Sequence, residues 1–228
     1  MRTSFHEARS VGLLLTFIGG AMDSYTYIHY DAFASAQTGN IVLAIIQAFD
    51  NQWVSVGKKV LSTCFFFIGL LLAKFMIDYF RKKGFHFWRL FIFFYESIIF
   101  FLVSLPAINQ HPALVTIMIA FTAAIQWVSF DKIDGRAYTN LFTTGNLKGV
   151  ATNLYDAIKT KDKESIAQFH HYLSVVLAFI LGASVTVGLY HLLQERAILL
   201  VSLLFLAMGI YESLMLWRFY KKEQYIIK

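Results

Sequence analysis

The sequence predicts an all-α polytopic membrane protein: six transmembrane helices in two inverted three-helix repeats, with short re-entrant or interfacial helices after two Thr-Gly-Asn motifs. Three observations carry this expectation. Apolar residues come in long blocks, Lys and Arg fall between the blocks, and two short motifs recur in order along the chain. Hydrophobic residues make up 57% of the 228 positions and charged residues 15%, with 23 Phe and only 2 Pro, which does not describe a surface made for water. Lipid is the simplest solvent for such a pattern. The formal charge of +6 would raise the question of nucleic acid in a soluble protein. Here the cations cluster between apolar blocks, so membrane orientation explains them and nucleic-acid binding is not expected. One cysteine, Cys64, lies inside an apolar block and excludes a disulfide framework or a multi-cysteine metal site.

A spanning helix needs about 20 mostly apolar residues. Six stretches qualify: Val11 to Tyr30, Val60 to Phe80, Trp88 to Ile108, Pro112 to Phe130, Tyr172 to Leu193 and Ala197 to Phe219. The first reads as an uncleaved helix, since Gly19-Gly20-Ala21-Met22-Asp23 leads straight into Ser24-Tyr25-Thr26-Tyr27 without a convincing small-x-small cleavage site and the rest of the chain is itself membrane-like. A further apolar piece, Ile41 to Phe49, would rise only about 14 Å as a helix, enough to enter a bilayer but not to cross it. With the N-terminus inside, the inner segments collect most of the Lys and Arg, including Arg81, Lys82, Lys83 and Arg89. The outer side keeps only Lys58, Lys59 and Arg196, and Lys74 lies within a span. That bias places both termini in the cytoplasm.

The repeat is legible in two tripeptides. Thr38-Gly39-Asn40 recurs as Thr144-Gly145-Asn146, 106 residues later, and Tyr95-Glu96-Ser97 recurs as Tyr211-Glu212-Ser213, 116 residues later. Ile68-Gly69 answers Leu181-Gly182 more weakly. The chain therefore reads as one membrane domain, residues 1–228: repeat 1 over about 10–108, repeat 2 over about 112–219, and a basic cytoplasmic tail at 220–228. Three spans per half force the halves to point oppositely, the plan of many secondary transporters.

The residues expected to carry chemistry are few. Each Thr-Gly-Asn motif reads as a turn whose Gly takes a positive φ and whose Thr and Asn satisfy free backbone groups at a helix start. If those helices start inside the membrane, Thr38, Gly39, Asn40, Thr144, Gly145 and Asn146 border a substrate site near the midplane. If they start at its surface, the same residues are ordinary caps. Gln126 on the fourth span is either part of the cavity wall or an interhelical hydrogen bond. Asp23, Glu96 and Glu212 fall well inside spans, where ionised carboxylates are costly, so they read as proton-coupling groups or as hydrogen-bonded glue between helices. Lys74 and Asp78, four apart, read as a structural pair. His170 and His171 lack a third ligand, so no metal is expected. Tyr25, Tyr27, Trp53, Trp88, Trp127 and Trp217 read as an interfacial belt. Nothing resembles a phosphate loop, a nucleophile elbow or a zinc helix, so neither an enzyme nor a cofactor is expected.

With Gly20-Ala21-Met22-Asp23, the Thr38-Gly39-Asn40 motif, Gln126, and the run from Gly135 to Asn146, the chain resembles the YoaK-like family of bacterial inner-membrane proteins, a domain of unknown function. The resemblance covers roughly residues 10 to 218 and implies a multi-pass, transporter-like protein of the bacterial cytoplasmic membrane without naming a substrate. Two functions follow as expectations. One is a secondary transporter or permease for a small molecule, rocking one repeat against the other around a midplane site. The other is a membrane scaffold or accessory subunit in which the same residues only pack helices. The expected partners are the lipid bilayer and an unidentified small molecule, and Gly-containing spans also permit a homodimer.

Overall fold

The computed structural model describes residues 5–85 and 87–226. The chain is mostly helical: α1 (Arg9–Tyr30), α2 (Gln37–Phe49), α3 (Trp53–Lys82), α4 (Trp88–Ser104), α5 (Pro106–Asn109), α6 (Pro112–Ser129), α7 (Thr144–Thr160), α8 (Lys163–Leu193) and α9 (Leu199–Ile226). A short antiparallel hairpin, β1 (Lys132–Ile133) and β2 (Arg136–Ala137), turns through Asp134 and Gly135, both at positive φ. Asp-Gly supplies the backbone freedom that a two-residue hairpin turn demands.

Four stretches are long and apolar enough to cross a bilayer: Arg9–Tyr30, Trp53–Lys82, Pro112–Ser129 and the run Lys163–Phe219. The 22 residues of α1 rise about 33 Å, against a hydrocarbon core of about 30 Å. The run from 163 to 219 is interrupted by a 3-10 turn over Gln194–Ile198, where Gln194 adopts φ 51° and separates α8 from α9. The expected span Trp88 to Ile108 ends early, at Ser104, because Leu105 is extended ahead of Pro106 and α5 begins a new turn there. Outward-facing apolar side chains are many, among them Phe67 and Phe75 on α3 and Leu203 on α9. Such a surface suits lipid, and the chain is a helical membrane protein.

The helices of one half pack mainly on those of the other. α1 lies along α8, α3 along α6 and α4 along α9, while the shorter α2 and α7 lie on α3 and α8. Exchanging the first half for the second leaves this set of contacts unchanged. α4 and α9 run antiparallel, with Ser97 meeting Ser202 and Phe94 lying against Gly209. The Ser97 and Ser202 hydroxyls donate to each other's backbone carbonyls at 3.0 and 2.8 Å. Two matched close approaches hold the longer pairs. A Cβ on Gly182 would sit 1.8 Å from the Phe17 carbonyl oxygen, and one on Gly69 would sit 2.6 Å from that of Phe121. Glycine at these two places lets one helix backbone touch the next, as in membrane pairs built on small residues.

Gly182→Ala is therefore expected to lower the thermal stability of the detergent-solubilised protein by roughly 1–3 kcal/mol, the usual cost of overpacking. Gly188→Ala on the same helix, where a Cβ meets nothing within 4 Å, is expected to be neutral or slightly stabilising. Equal melting shifts for the two variants would show that α1 and α8 are not in backbone contact.

Candidate functional site

The small residues of α1 decide what lies at the centre. A Cβ on Gly19 would fall 2.1 Å from the Asn140 carbonyl oxygen, and one on Gly20 would fall 2.1 Å from that of Phe179. The loop ahead of α7 and the backbone of α8 thus press directly on the middle of α1. One turn further along α1, Asp23 is buried. Its Oδ1 accepts the Ser35 backbone N–H at 2.8 Å and its Oδ2 accepts the Ser35 hydroxyl at 2.8 Å. Thr26 Oγ1 accepts the Ala34 N–H at 3.0 Å while donating to the Met22 carbonyl. Asp23 and Thr26 together hold the loop that leads into α2.

Asn40 holds the same loop from the other side. Its Oδ1 accepts the Phe33 N–H at 2.9 Å and its Nδ2 donates to the Phe33 carbonyl at 2.8 Å, closing a two-bond clasp on the residue seven positions back. The second half repeats it: Asn146 Oδ1 accepts the Thr139 N–H at 3.3 Å and Nδ2 donates to the Thr139 carbonyl at 2.8 Å. Both asparagines are buried. The two clasped loops meet. Ser35 Oγ lies 3.0 Å from the Leu141 carbonyl oxygen, and residues 35 and 141 are themselves counterparts 106 apart. The single Ser35 proton is shared between that carbonyl and Asp23.

The remaining motif residues behave differently from the sequence expectation. Thr-Gly-Asn is no turn in either half: it lies in the first turn of α2 and of α7, and neither Gly39 nor Gly145 has positive φ. Thr38 and Thr144 are exposed. The asparagines do satisfy free backbone groups, as expected, but those of the preceding loop rather than of the helix end. Gln126 is fully buried on α6 and its Nε2 donates to the Leu15 carbonyl at 3.3 Å, an interhelical bond, while Oε1 has no partner among the described residues. Asn140 is likewise buried, with Nδ2 bonded to the Phe130 carbonyl and Oδ1 unpartnered among the described residues. The Gln126 side chain and the Asn140 backbone carbonyl both contact the Leu15–Gly19 turn of α1. Two buried acceptors without donors mark a place where a donor from elsewhere would be welcome.

Asp23 has no counterpart carboxylate in the second half. Ser129 stands 106 residues on, and its hydroxyl bonds within its own helix to the Ile125 carbonyl. Glu96 and Glu212 are not joined to Asp23. They are buried on α4 and α9, with both oxygens of Glu96 and Oε2 of Glu212 lacking partners among the described residues. The centre is packed: Leu141, Asn140 and Gln126 are all 0% exposed. A cavity of about 270 Å³ borders Asn40, but it lies between α2 and α3, with Lys59 and Thr63 on its wall, and does not reach Asn146.

Several residues escaped the sequence reading. Lys59, counted there among the outer cations, is fully buried inside α3 and pairs with Asp31, Nζ to Oδ2 at 2.9 Å. Burial pushes the Asp31 carboxyl up, yet hydrogen bonds from Lys59 and Ser55 and the charges of Lys59 and Lys58 outweigh it and hold the group below its ordinary value. Tyr25 and Trp88, expected at the interface, are buried instead. Tyr25 belongs to a network around His29. Asn109 Nδ2 donates to the Val103 carbonyl at 3.0 Å and to Tyr25 Oη at 2.8 Å, which leaves Asn109 Oδ1 to accept from His29 Nε2 at 2.8 Å. His29 therefore carries its proton on Nε2 and accepts the Tyr190 hydroxyl on Nδ1 at 2.6 Å. Tyr25 completes the chain by donating to the Glu195 carbonyl at 3.0 Å. A single polar histidine among aromatics gave no signal of this, because its partners lie 80 and 161 residues away. Lys74 and Asp78 form the expected exposed pair at 3.2 Å.

The chain matches the family model described as a protein of unknown function, DUF1275, over residues 11–211. No curated protein and no solved structure matches it.

The clasps generate a prediction. Asn40→Ala or Asn146→Ala leaves a buried N–H and C=O unpaired and is expected to cost about 1–3 kcal/mol of stability in thermal or denaturant melts. Thr38→Ala and Thr144→Ala, at exposed positions, are expected to stay within about 0.5 kcal/mol of the parent. Threonine variants that destabilise as much as the asparagine variants would contradict this assignment.

Proposed function

The chain belongs to the DUF1275 family, and from that membership and the site geometry we propose that it is a six-span, two-repeat secondary transporter for a small polar molecule, with no enzymatic step. The narrower YoaK-like placement and the bacterial cytoplasmic membrane, with both termini inside, belong to the same proposal. The distribution of Lys and Arg supports the placement of both termini inside. The observation that carries the reading is the contact of Ser35 with Leu141: two equivalent loops, each fixed by an asparagine clasp, meet in the protein interior. An inverted repeat produces such a meeting where its two-fold axis crosses the chain, and transporter sites of this plan lie there.

The moving bodies are not the sequence halves, contrary to the simplest form of a rocking repeat. Each half is interlaced with the other, so the bodies are α1 with α7 and α8 on one side, and α2 with α3 and α6 on the other. Each of the loops that meet joins the two bodies, 31–36 linking α1 to α2 and 130–143 linking α6 to α7. When the bodies part, Gln126 Oε1 and Asn140 Oδ1, which lack donors in the closed arrangement, accept hydrogen bonds from the substrate. Asp23 couples this movement to a proton. Ionised, it accepts two hydrogen bonds from Ser35. Protonated, one oxygen becomes a donor, at least one of those bonds weakens, and the loop is freed. Glu96 and Glu212, buried with unpartnered oxygens, serve as further proton carriers.

The packed centre favours a second reading, a scaffold or accessory subunit that never opens. One experiment separates the two. Proteoliposomes are challenged with a panel of radiolabelled polar metabolites under an imposed pH gradient, using the parent protein and Asp23→Asn. Transport predicts uptake by the parent that collapses with the gradient, and at least a tenfold lower uptake by a folded Asp23→Asn, in line with general acid-base contributions of about 100-fold or more. No uptake of any compound, together with a lowered melting temperature for Asp23→Asn, would support the scaffold.

A further inference from the structure

We propose that the slot between α3 and α4 is a binding site for one acyl chain of an anionic glycerophospholipid, whose phosphate headgroup is held by Arg81, Lys82 and Lys83. Although consecutive in sequence, α3 and α4 make little contact with each other, and both lie on α6. The gap between them is a cavity of about 280 Å³, walled by Leu72 and Met76 of α3 and Phe91 and Tyr95 of α4, and floored by Phe121 and Ile125 of α6. Its walls are almost wholly apolar, and the one hydroxyl among these six residues, on Tyr95, is already paired with Thr122 at 3.2 Å. Leu72, Met76 and Phe91 are also exposed on the outer surface, so the slot opens toward the bilayer rather than into the protein.

The end of the slot is built, not frayed. α3 stops at Gly84, whose φ of 66° reverses the chain. The Phe85 N–H reaches back to the Phe80 carbonyl at 3.0 Å and the Gly84 N–H to that of Arg81 at 3.1 Å, the two bonds of a Schellman cap. Phe85 is thereby folded onto Phe80, ring centroids 5.5 Å apart, and Phe80 stacks on Trp88. This aromatic plug closes that end of the slot, and Arg81, Lys82 and Lys83, which follow Phe80 along the chain, are exposed beside it, with Lys83 Nζ 6.0 Å from the centre of the Tyr79 ring. Asp78, the acidic group nearest them on α3, is paired with Lys74. Arg89, on the opposite side of the mouth, donates to the Ser129 carbonyl at 2.8 Å and lies over the Trp88 ring, so it is committed elsewhere.

An apolar slot ending in three adjacent cations matches a lipid with a hydrocarbon tail and a negative headgroup, since basic clusters at the inner end of a spanning helix attract anionic lipid. A second copy of the chain fits less well, because a helix about 10 Å across does not enter a cavity of about 280 Å³. The proposal rests on the membrane placement of α3 and α6 but not on transport, so a protein that moves no solute still tests it.

The test is native mass spectrometry of the full chain, purified in detergent and exposed to equimolar dioleoyl phosphatidylglycerol and dioleoyl phosphatidylcholine. The parent is expected to retain one phosphatidylglycerol with about tenfold preference. Met76→Trp and Leu72→Trp, each filling the slot from a part-exposed position, are expected to lose the bound lipid of either kind. A triple variant, R81Q with K82Q and K83Q, changes only exposed side chains and is expected to keep a bound lipid while losing the headgroup preference. Equal retention of both lipids by the parent overturns the proposal, as does an unchanged preference in the triple variant. Conversion of a dimer to a monomer by the tryptophan variants, with lipid retained, would overturn it in favour of a second copy as the occupant.

Discussion

Non-helical backbone buried in a membrane protein must find its hydrogen bonds inside the molecule, and the rest of this structure depends on how that demand is met. Two irregular loops, 31–36 and 130–143, run into the core between helices. Asn40 and Asn146 each close both polar groups of one loop residue, and Asp23 and Thr26 bind the adjoining groups in the first loop. An amide side chain suits this task because it offers a donor and an acceptor in one plane, the pairing that a neighbouring strand would otherwise provide. With the loops fixed, α2 and α7 each begin with a turn that buries its asparagine and exposes its threonine. Their 13 and 17 residues then lie on α3 and α8 instead of crossing the membrane alone.

Close helix packing follows from a second economy. Lipid offers no hydrophobic incentive for helices to associate, so backbone proximity has to supply the contact. Gly19 and Gly20 admit the second loop and α8, while Gly69 and Gly182 bring the partner helices to carbonyl contact. The result interlaces the halves. In the proposed transport cycle, the movement that exposes the centre slides across the α1–α6 boundary, where contacts are sparse, and leaves the glycine seams whole. The one carboxylate at that boundary, Asp23, breaks the symmetry of an otherwise matched site. Under the proposed proton coupling, only one loop would answer to protonation.

Much of this was legible in the sequence, and the parts that were not share a cause. The helices were written in the apolar blocks, and the recurrence of Thr-Gly-Asn pointed to Asn40 and Asn146 before any contact was known. Local rules then misled. Asn beside Gly suggests a turn, but the motif sits within a helix, and its asparagines reach seven residues back to a loop. Thr38 and Thr144 were carried along by the motif although they face outward. Lys59 and His29 were missed because their partners are distant in sequence: Asp31 lies 28 residues from Lys59, and Tyr190 161 residues from His29. Tyr25 and Trp88 misled for a similar reason, since position near a span end says nothing of which helix covers the ring. Pro106, by contrast, is a local signal, and it ends α4 inside an apolar run that otherwise continues to Ile108.

The claim on which the account turns is that residues 35 and 141 touch at the centre of one chain. The direct measurement is cross-linking of a Ser35→Cys, Leu141→Cys double variant in a Cys64→Ser background with a short bismaleimide, after a protease site has been placed between the two positions. The account predicts a covalent intramolecular link that holds the cleaved fragments together on a denaturing gel, and weak labelling of either single cysteine by membrane-impermeant reagents. Free labelling of position 35 from one face of the membrane and of position 141 from the other, with no link formed, would contradict it.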